Sequence, residues 1–342
     1  AQTIAVGGAE ALAPGRVPVP ASSGDDRITR HFHDPEGRLA GILDAEGHLT
    51  VLHYTAAGQL QERIAYATPT QAGLRAAAPL EALLPPGSPA DRREFTLYDG
   101  QGRPVAQVDT EGYLTETTYD AAGNVARSVR YAQRVGLDPA AAGSLAELRP
   151  AASPSDRVTE RAYDALGRLV QERDADGVVT RHGYDTQGHL VATTRAVGTG
   201  EARSVLARHD VQGRLVGELS GEGAALITGG QTEEQVEAIW VAHGVRHTYD
   251  AAGRRTSTVD ALGRRTLFFY DADGAQTHVV NALGEVEETS YDTLGRVTLQ
   301  VAYAGRIATD GLQGGPVTRS LLSSLAAIAD PAGDAHTTFT YT

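Results

Sequence analysis

The sequence predicts a mainly β protein: an antiparallel meander ribbon of repeated hairpins, with short helices confined to insertions. Three observations carry this expectation. Tyr249, Tyr270 and Tyr291 each open a Tyr-Asp-x-x-Gly turn, and they stand 21 residues apart. Midway between them, Asp260 with Gly263 and Asn281 with Gly284 repeat the Asx-x-x-Gly half of the signal. The segments between turns are short and rich in Thr, Val, Leu, Tyr and Arg, as in 114–119. Self-similarity at a fixed period marks a repeat architecture. A half-unit this short holds one strand and one turn and leaves no room for a helical crossover, so neighbouring strands must run antiparallel.

Each turn residue has a local reason. Asp at the first corner can accept hydrogen bonds from backbone N–H groups ahead of it, and Gly at the fourth position supplies the positive φ of a bulged hairpin turn. The copies are Tyr98-Asp99 with Gly102, Tyr119-Asp120 with Gly123, Tyr163-Asp164 with Gly167-Arg168, and Tyr184-Asp185 with Gly188. They continue as Tyr249-Asp250 with Gly253-Arg254, Tyr270-Asp271 with Gly274, and Tyr291-Asp292 with Gly295-Arg296. The recurring Tyr returns to the same face of every hairpin, so its ring is read as a packing residue and the Asp as a turn former. These are assigned as structural residues.

In chain order, residues 1–26 carry Pro14, Pro18, Pro20 and Gly24 and read as the irregular tail of an insertion. The ribbon then covers 27–301 in modules 27–67, 91–132, 156–219 and 245–304, interrupted by insertions 68–90, 133–155 and 220–244. A further insertion, 305–333, precedes the start of another module at 334–342. Asp26, Asp91 and Asp156 open successive modules at a spacing of 65 residues. Histidine takes the place of the repeat tyrosine at His33 and in the degenerate copy His209-Asp210 with Gly213-Arg214. Helices are expected at 79–84, 232–242 and 320–328. The second has Thr232 as its cap, with Val236, Ile239 and Trp240 on one apolar face. Met is absent, even from position 1, and the pattern stops just after a module opens, so the sequence reads as a piece of a longer chain.

Composition narrows the function classes. There is no Cys, so neither disulfides nor thiolate metal sites are available. A net charge of −13 argues against a nucleic-acid groove. No apolar run approaches the length of a membrane span, and 1–13 lacks the charged start and apolar core of a signal peptide.

The quoted copies resemble the YD repeats of the Rhs and toxin-complex families, and Tyr163-Asp164 through Gly167-Arg168-Leu169 matches that pattern residue for residue. The resemblance covers almost all of 27–301 apart from the insertions. It implies a long ribbon coiling into a spiral or partial shell. Such shells commonly enclose a toxic C-terminal domain in bacterial weapons, and related ones occur in teneurin-like surface proteins. Two departures stand out: the family's autoproteolytic plug is not recognisable, and Asp330-Pro331 with Gly333 reads as a turn rather than as a remnant of it.

Candidate chemistry is sparse. His31 and His33 share a strand face, and His53 is placed to lie opposite. That arrangement is compatible with a metal, but His33 sits at a Tyr position and is read as a Tyr substitute. Asp174 with Asp176 and Gly177, and Asp271 with Asp273 and Gly274, resemble the start of a calcium loop but lack its remaining ligands. Gly198 with Gly200 and Gly221 with Gly223 do not make phosphate loops, and there is no nucleophile elbow. The expected function is therefore a non-catalytic structural segment of a secreted or cell-surface shell that encloses or presents the remainder of its own polypeptide. It needs no cofactor and binds no nucleic acid, and neighbouring chains are possible partners through exposed ribbon edges. The alternative is an adhesin-like module contacting glycans or proteins through exposed Tyr and the insertion loops.

Overall fold

A computed structural model describes residues 3–4 and 27–341. The expected insertion tail at 1–26, with Asp26, lies outside the described residues apart from a two-residue strand at Thr3–Ile4 that pairs with Ile28 and Thr29. The chain forms two compact units, Ala1–Arg168 with Arg173–Gly177, and Leu169–Glu172 with Val178–Thr342.

The first unit runs through strands Ile28–His33, Leu39–Leu43, Leu49–Tyr54 and Leu60–Ala65, then Arg92–Tyr98, Pro104–Val108, Tyr113–Tyr119, Val125–Arg134 and Arg157–Tyr163. Each pairs antiparallel with the next. The insertions interrupt the sequence but not the ladder: Leu60–Ala65 pairs with Arg92–Tyr98 across the first, and Val125–Arg134 with Arg157–Tyr163 across the second. The second unit repeats the scheme from Val179–Tyr184 to Val297–Arg306, which in turn pairs with Ala335–Thr338. One exception to the antiparallel rule was not foreseen. Gly315 and Pro316, inside an insertion, pair parallel to Phe269 and Tyr270.

The expected helices form as α1 (Leu80–Leu83), α4 (Glu233–His243) and α5 (Arg319–Ile328), and the second insertion adds an unexpected short α2 (Leu145–Leu148). A short α3 forms at Gly221–Ala225 and was not expected either; glycine is a poor helix former. In α4, Thr232 and Gln235 form a reciprocal capping box, and Trp240 is buried with Val236 and Ile239 packed beside it.

The strands alternate polar and apolar residues only weakly, as in 160–163, which predicts a sheet wetted on both faces. That holds for strands Val179–Tyr184, Leu190–Arg195 and Arg203–His209, in which no residue is buried. Beneath three of the insertion helices one face is dry. Leu43, Leu49 and Val51 pack under Leu83 of α1. Phe95, Val108, Leu114 and Val129 pack under Leu148 of α2, and Leu267, Phe269, Val280 and Val286 under Leu321 and Leu325 of α5. The physical reason is that each insertion brings its own apolar helix face, so the sheet beneath needs apolar residues over only a few strands.

Necks of the insertions are stitched by one recurring device. Asp91 accepts from the Ala67 amide at 2.9 Å and the Ser88 amide at 2.8 Å. Asp156 accepts from Ala132 and Ser153, both at 2.8 Å, and Asp334 from Ala304 at 2.8 Å and Asp330 at 2.9 Å. One carboxylate thus holds both ends of each of these three insertions. The second insertion gains a further anchor, since buried Glu116 receives Arg149 through two hydrogen bonds (2.7 and 2.8 Å) and the Tyr131 hydroxyl at 2.8 Å. Replacing Asp91 by Ala removes two charge-assisted hydrogen bonds and is expected to cost about 1–3 kcal/mol. Amide hydrogen exchange should show Ala67 and Ser88 losing protection while the turn at Asp99 keeps it. Unchanged protection at both amides would show that the clamp contributes nothing.

Candidate functional site

The repeat residues expected to be structural form a polar network that recurs from turn to turn. At each Tyr-Asp turn the Asp amide donates to the carbonyl four residues on, and the Gly amide donates back to the Asp carbonyl, as in Asp99–Arg103 at 2.9 Å and Gly102–Asp99 at 3.0 Å. The Asp Oδ1 accepts the amide four residues ahead, while Oδ2 takes the Arg guanidinium where Arg is present: Asp164 with Arg168 and Asp292 with Arg296, each at 2.7 Å. The Asp99, Asp164 and Asp292 carboxyls are held below the usual carboxylate range, first by that backbone N–H; partial desolvation opposes the shift and the Arg guanidinium assists it. A register shift falls immediately before Tyr54, Tyr98, Tyr119, Tyr184, Tyr249, Tyr270 and Tyr291, so the expected bulge is present there.

The tyrosines do more than pack. Each phenol donates to a backbone carbonyl of the preceding copy, at the residue six positions after the aromatic that opens that copy. In the first unit Tyr54 reaches Leu39, Tyr98 reaches Leu60, Tyr119 reaches Pro104 and Tyr163 reaches Val125. In the second, Tyr184 reaches Leu169, Tyr249 reaches Leu215, Tyr270 reaches Arg255, Tyr291 reaches Gln276 and Tyr341 reaches Val297. The distances run from 2.6 to 3.1 Å. The turn Arg of one copy also stacks on the Tyr of the next, as Arg103 on Tyr119 at 4.3 Å, Arg214 on Tyr249 at 4.7 Å and Arg254 on Tyr270 at 4.8 Å. Asp, Arg and Tyr thus make one joint, repeated along each unit.

Two features depart from this regularity. The first is a cleft of about 540 Å³ in the second unit, lined by Asp271, Asp273, His278, Glu288, Tyr291 and Asp292 among others. Three of its four acidic groups, all but Asp273, are already engaged. Asp271 accepts the Ala275 amide, Asp292 holds Arg296, and Glu288 takes the Tyr303 hydroxyl at 2.6 Å. Burial pushes Tyr303 up and holds His278 below the usual imidazole range. The second departure is at the degenerate copy. There His189 replaces the turn Arg and His209 replaces the next Tyr, and their rings stack at 4.9 Å and 28°. His189 Nδ1 lies 3.0 Å from Asp185 Oδ2, and ligand atoms of Asp185, His189 and His209 all lie within 4.8 Å of one another. Sequence reasoning placed its metal candidates at His31, His33 and His53 instead. Among the described residues those three do not belong to any group of three potential ligands.

Fold and joints define a tandem β-hairpin repeat protein in which successive copies are tied through their backbones. The RHS Repeat family model matches residues 98–135, 163–199 and 249–286. The same fold is present in crystal structures of TcdB2-TccC3, where 15% of aligned residues are identical and the TM-score is 0.54. The complexes TcdB2-TccC3-Cdc42 and TcdB2-TccC3-TEV give TM-scores of 0.55, also at 15% identity. These structures align with 80–84% of this chain, which spans only 13–14% of theirs. No curated protein matches the sequence. Among the described residues no helix is long and apolar enough to cross a membrane.

Proposed function

We propose that the chain is a structural, non-catalytic segment of a secreted or cell-surface YD-repeat shell, which encloses or presents another part of its own polypeptide. The observation that carries this reading is the Asp–Arg–Tyr joint. The residues that recur most strictly are engaged with one another and with backbone carbonyls, which is what a wall requires and what a binding surface does not. The shared fold with TcdB2-TccC3 supports the same reading. So do the apolar side chains at the hairpin tips: Leu166, Leu262, Leu294 and Val211 are 75–81% exposed. Another layer of chain along the ribbon edge would cover such tips. In this reading the repeat Tyr, Asp, Gly and Arg residues are scaffold, and the module boundaries at the insertions mark where the wall is braced. The adhesin alternative is weakened because the tyrosine hydroxyls it would present are already donors to the chain itself. Protease treatment of the full natural polypeptide tests the proposal. A segment following the repeats should survive digestion when attached to them and be degraded when produced alone. Equal degradation in both forms would remove the enclosure, and saturable binding of the repeat segment to glycan-bearing cells would favour adhesion.

A further inference from the structure

The joint between two hairpins of the second unit is built from different chemistry. In most copies the turn Asp holds an Arg, that Arg covers the next Tyr, and the Tyr hydroxyl reaches a carbonyl. Between the hairpins that turn at Asp185 and Asp210, both the Arg and the Tyr are histidines. Neither imidazole is long enough to rebuild that joint. His209 carries no phenol, and its Nδ1 is buried with no hydrogen-bond partner. His189 keeps only its contact with Asp185. Beyond His189, the neighbouring turn approaches closely: a methyl group at Gly213 would sit 2.7 Å from His189 Nε2. The two rings and the carboxylate therefore share one small, half-buried recess; the His189 and Asp185 side chains are 27% and 31% exposed.

Two imidazoles and one carboxylate form a donor set for a borderline first-row divalent cation, because imidazole suits zinc, copper, iron and nickel, and a carboxylate adds charge without thiolate softness. With metal–ligand bonds of about 2.0–2.2 Å, donors in a tetrahedral zinc site lie roughly 3.3–3.6 Å apart. The 3.0 Å separation of His189 and Asp185 is near that edge, and the remaining spread, at most 4.8 Å, closes by side-chain rotation. The cation would also give the buried Nδ1 of His209, or its opposite nitrogen after a ring flip, a partner in place of none. We propose that Asp185, His189 and His209 bind a zinc-class divalent cation, which ties the two hairpins together where the Arg–Tyr joint is missing. Three protein ligands leave the fourth position to solvent. This inference stands apart from the shell reading, since a metal tie would brace the ribbon whatever the ribbon encloses.

The repeat itself supplies the decisive variant. His189→Arg with His209→Tyr restores the residues used at the other joints and removes both imidazoles, so loss of fold is not expected. Isothermal titration of EDTA-treated, dialysed protein with zinc chloride should show one saturable equivalent, and zinc should raise the melting temperature. In the double variant that equivalent and the melting shift should both vanish, while the metal-free melting temperature stays at or above that of the parent. Asp185→Asn keeps the Oδ1 acceptor that shapes the turn, a role Asn281 fills elsewhere in the chain. It should weaken zinc binding by at least about tenfold. Zinc binding of equal affinity in parent and double variant, or no saturable binding by the parent, overturns the proposal.

Discussion

Phe269→Ala is expected to lower the stability of the second unit by about 3–5 kcal/mol, the largest loss from any single truncation in the chain. Phe269 is fully buried. It lies on Arg265–Tyr270 among Leu267, Val280 and Val286, roofed by Leu321 and Leu325 of α5 and by Ile307. Its strand is held on both edges and by the parallel bridge to Gly315, so the surroundings have little freedom to collapse into the space a phenyl ring leaves. A tandem repeat protein distributes its stability over neighbouring units, so the loss should stay in the second unit and leave the first unchanged. Denaturant unfolding combined with hydrogen exchange checks both parts. Leu166→Ala serves as the contrast, since Leu166 is 78% exposed and its truncation should be nearly silent. A change below about 1 kcal/mol for Phe269→Ala would mean that α5 does not seal the face it covers.

The second large effect is expected at Gly284. Gly167 and Gly253 adopt φ of 76° and 82°. A side chain at either would find nothing closer than 3.9 Å, so valine there bears only the cost of a left-handed backbone, about 1–2 kcal/mol. Gly284 has φ of 80°, but a Cβ there would lie 2.0 Å from the Ile307 carbonyl oxygen. Its own carbonyl accepts the Ile307 amide at 2.9 Å. Backbone meets backbone at this point, and neither can rotate away. Gly284→Val should therefore cost at least about 3 kcal/mol, strain and overpacking together. It should also release the start of the 305–333 insertion, seen as lost protection of the Ile307 amide. Similar melting temperatures for the Gly284 and Gly167 variants would contradict this account.

The contrast between those glycines shows what sequence can and cannot reveal. The turns were legible because their chemistry is local: Asp, Gly and the bulge lie within five residues of one another. Strand direction and three of the helices were legible from spacing, capping and apolar faces, whereas α2 and α3 were not. The 65-residue spacing of Asp91 and Asp156 was visible, but its cause was not, because each carboxylate reaches an amide 24 residues earlier. The same limit hid the tyrosine ties, which join one copy to another rather than acting within a copy. The cation group at Asp185, His189 and His209 escaped for a related reason. Its signal was present as two substitutions, Arg to His in one copy and Tyr to His in the next, and it becomes meaningful only once those two positions are known to touch. His31 and His33 drew attention because they are near in sequence, yet alternate positions on one strand face do not by themselves bring a third ligand.

The tyrosine tie ends on a peptide carbonyl, and the residues carrying that carbonyl include Leu39, Pro104, Val125, Arg255 and Gln276. Such a joint is blind to the side chain of its acceptor. A copy inserted, deleted or exchanged within the ribbon meets the same oxygen in the same place, so lengthening by duplication needs no compensating change next door. The joint therefore makes chain length an evolvable quantity and leaves the side chain at each acceptor position free to drift.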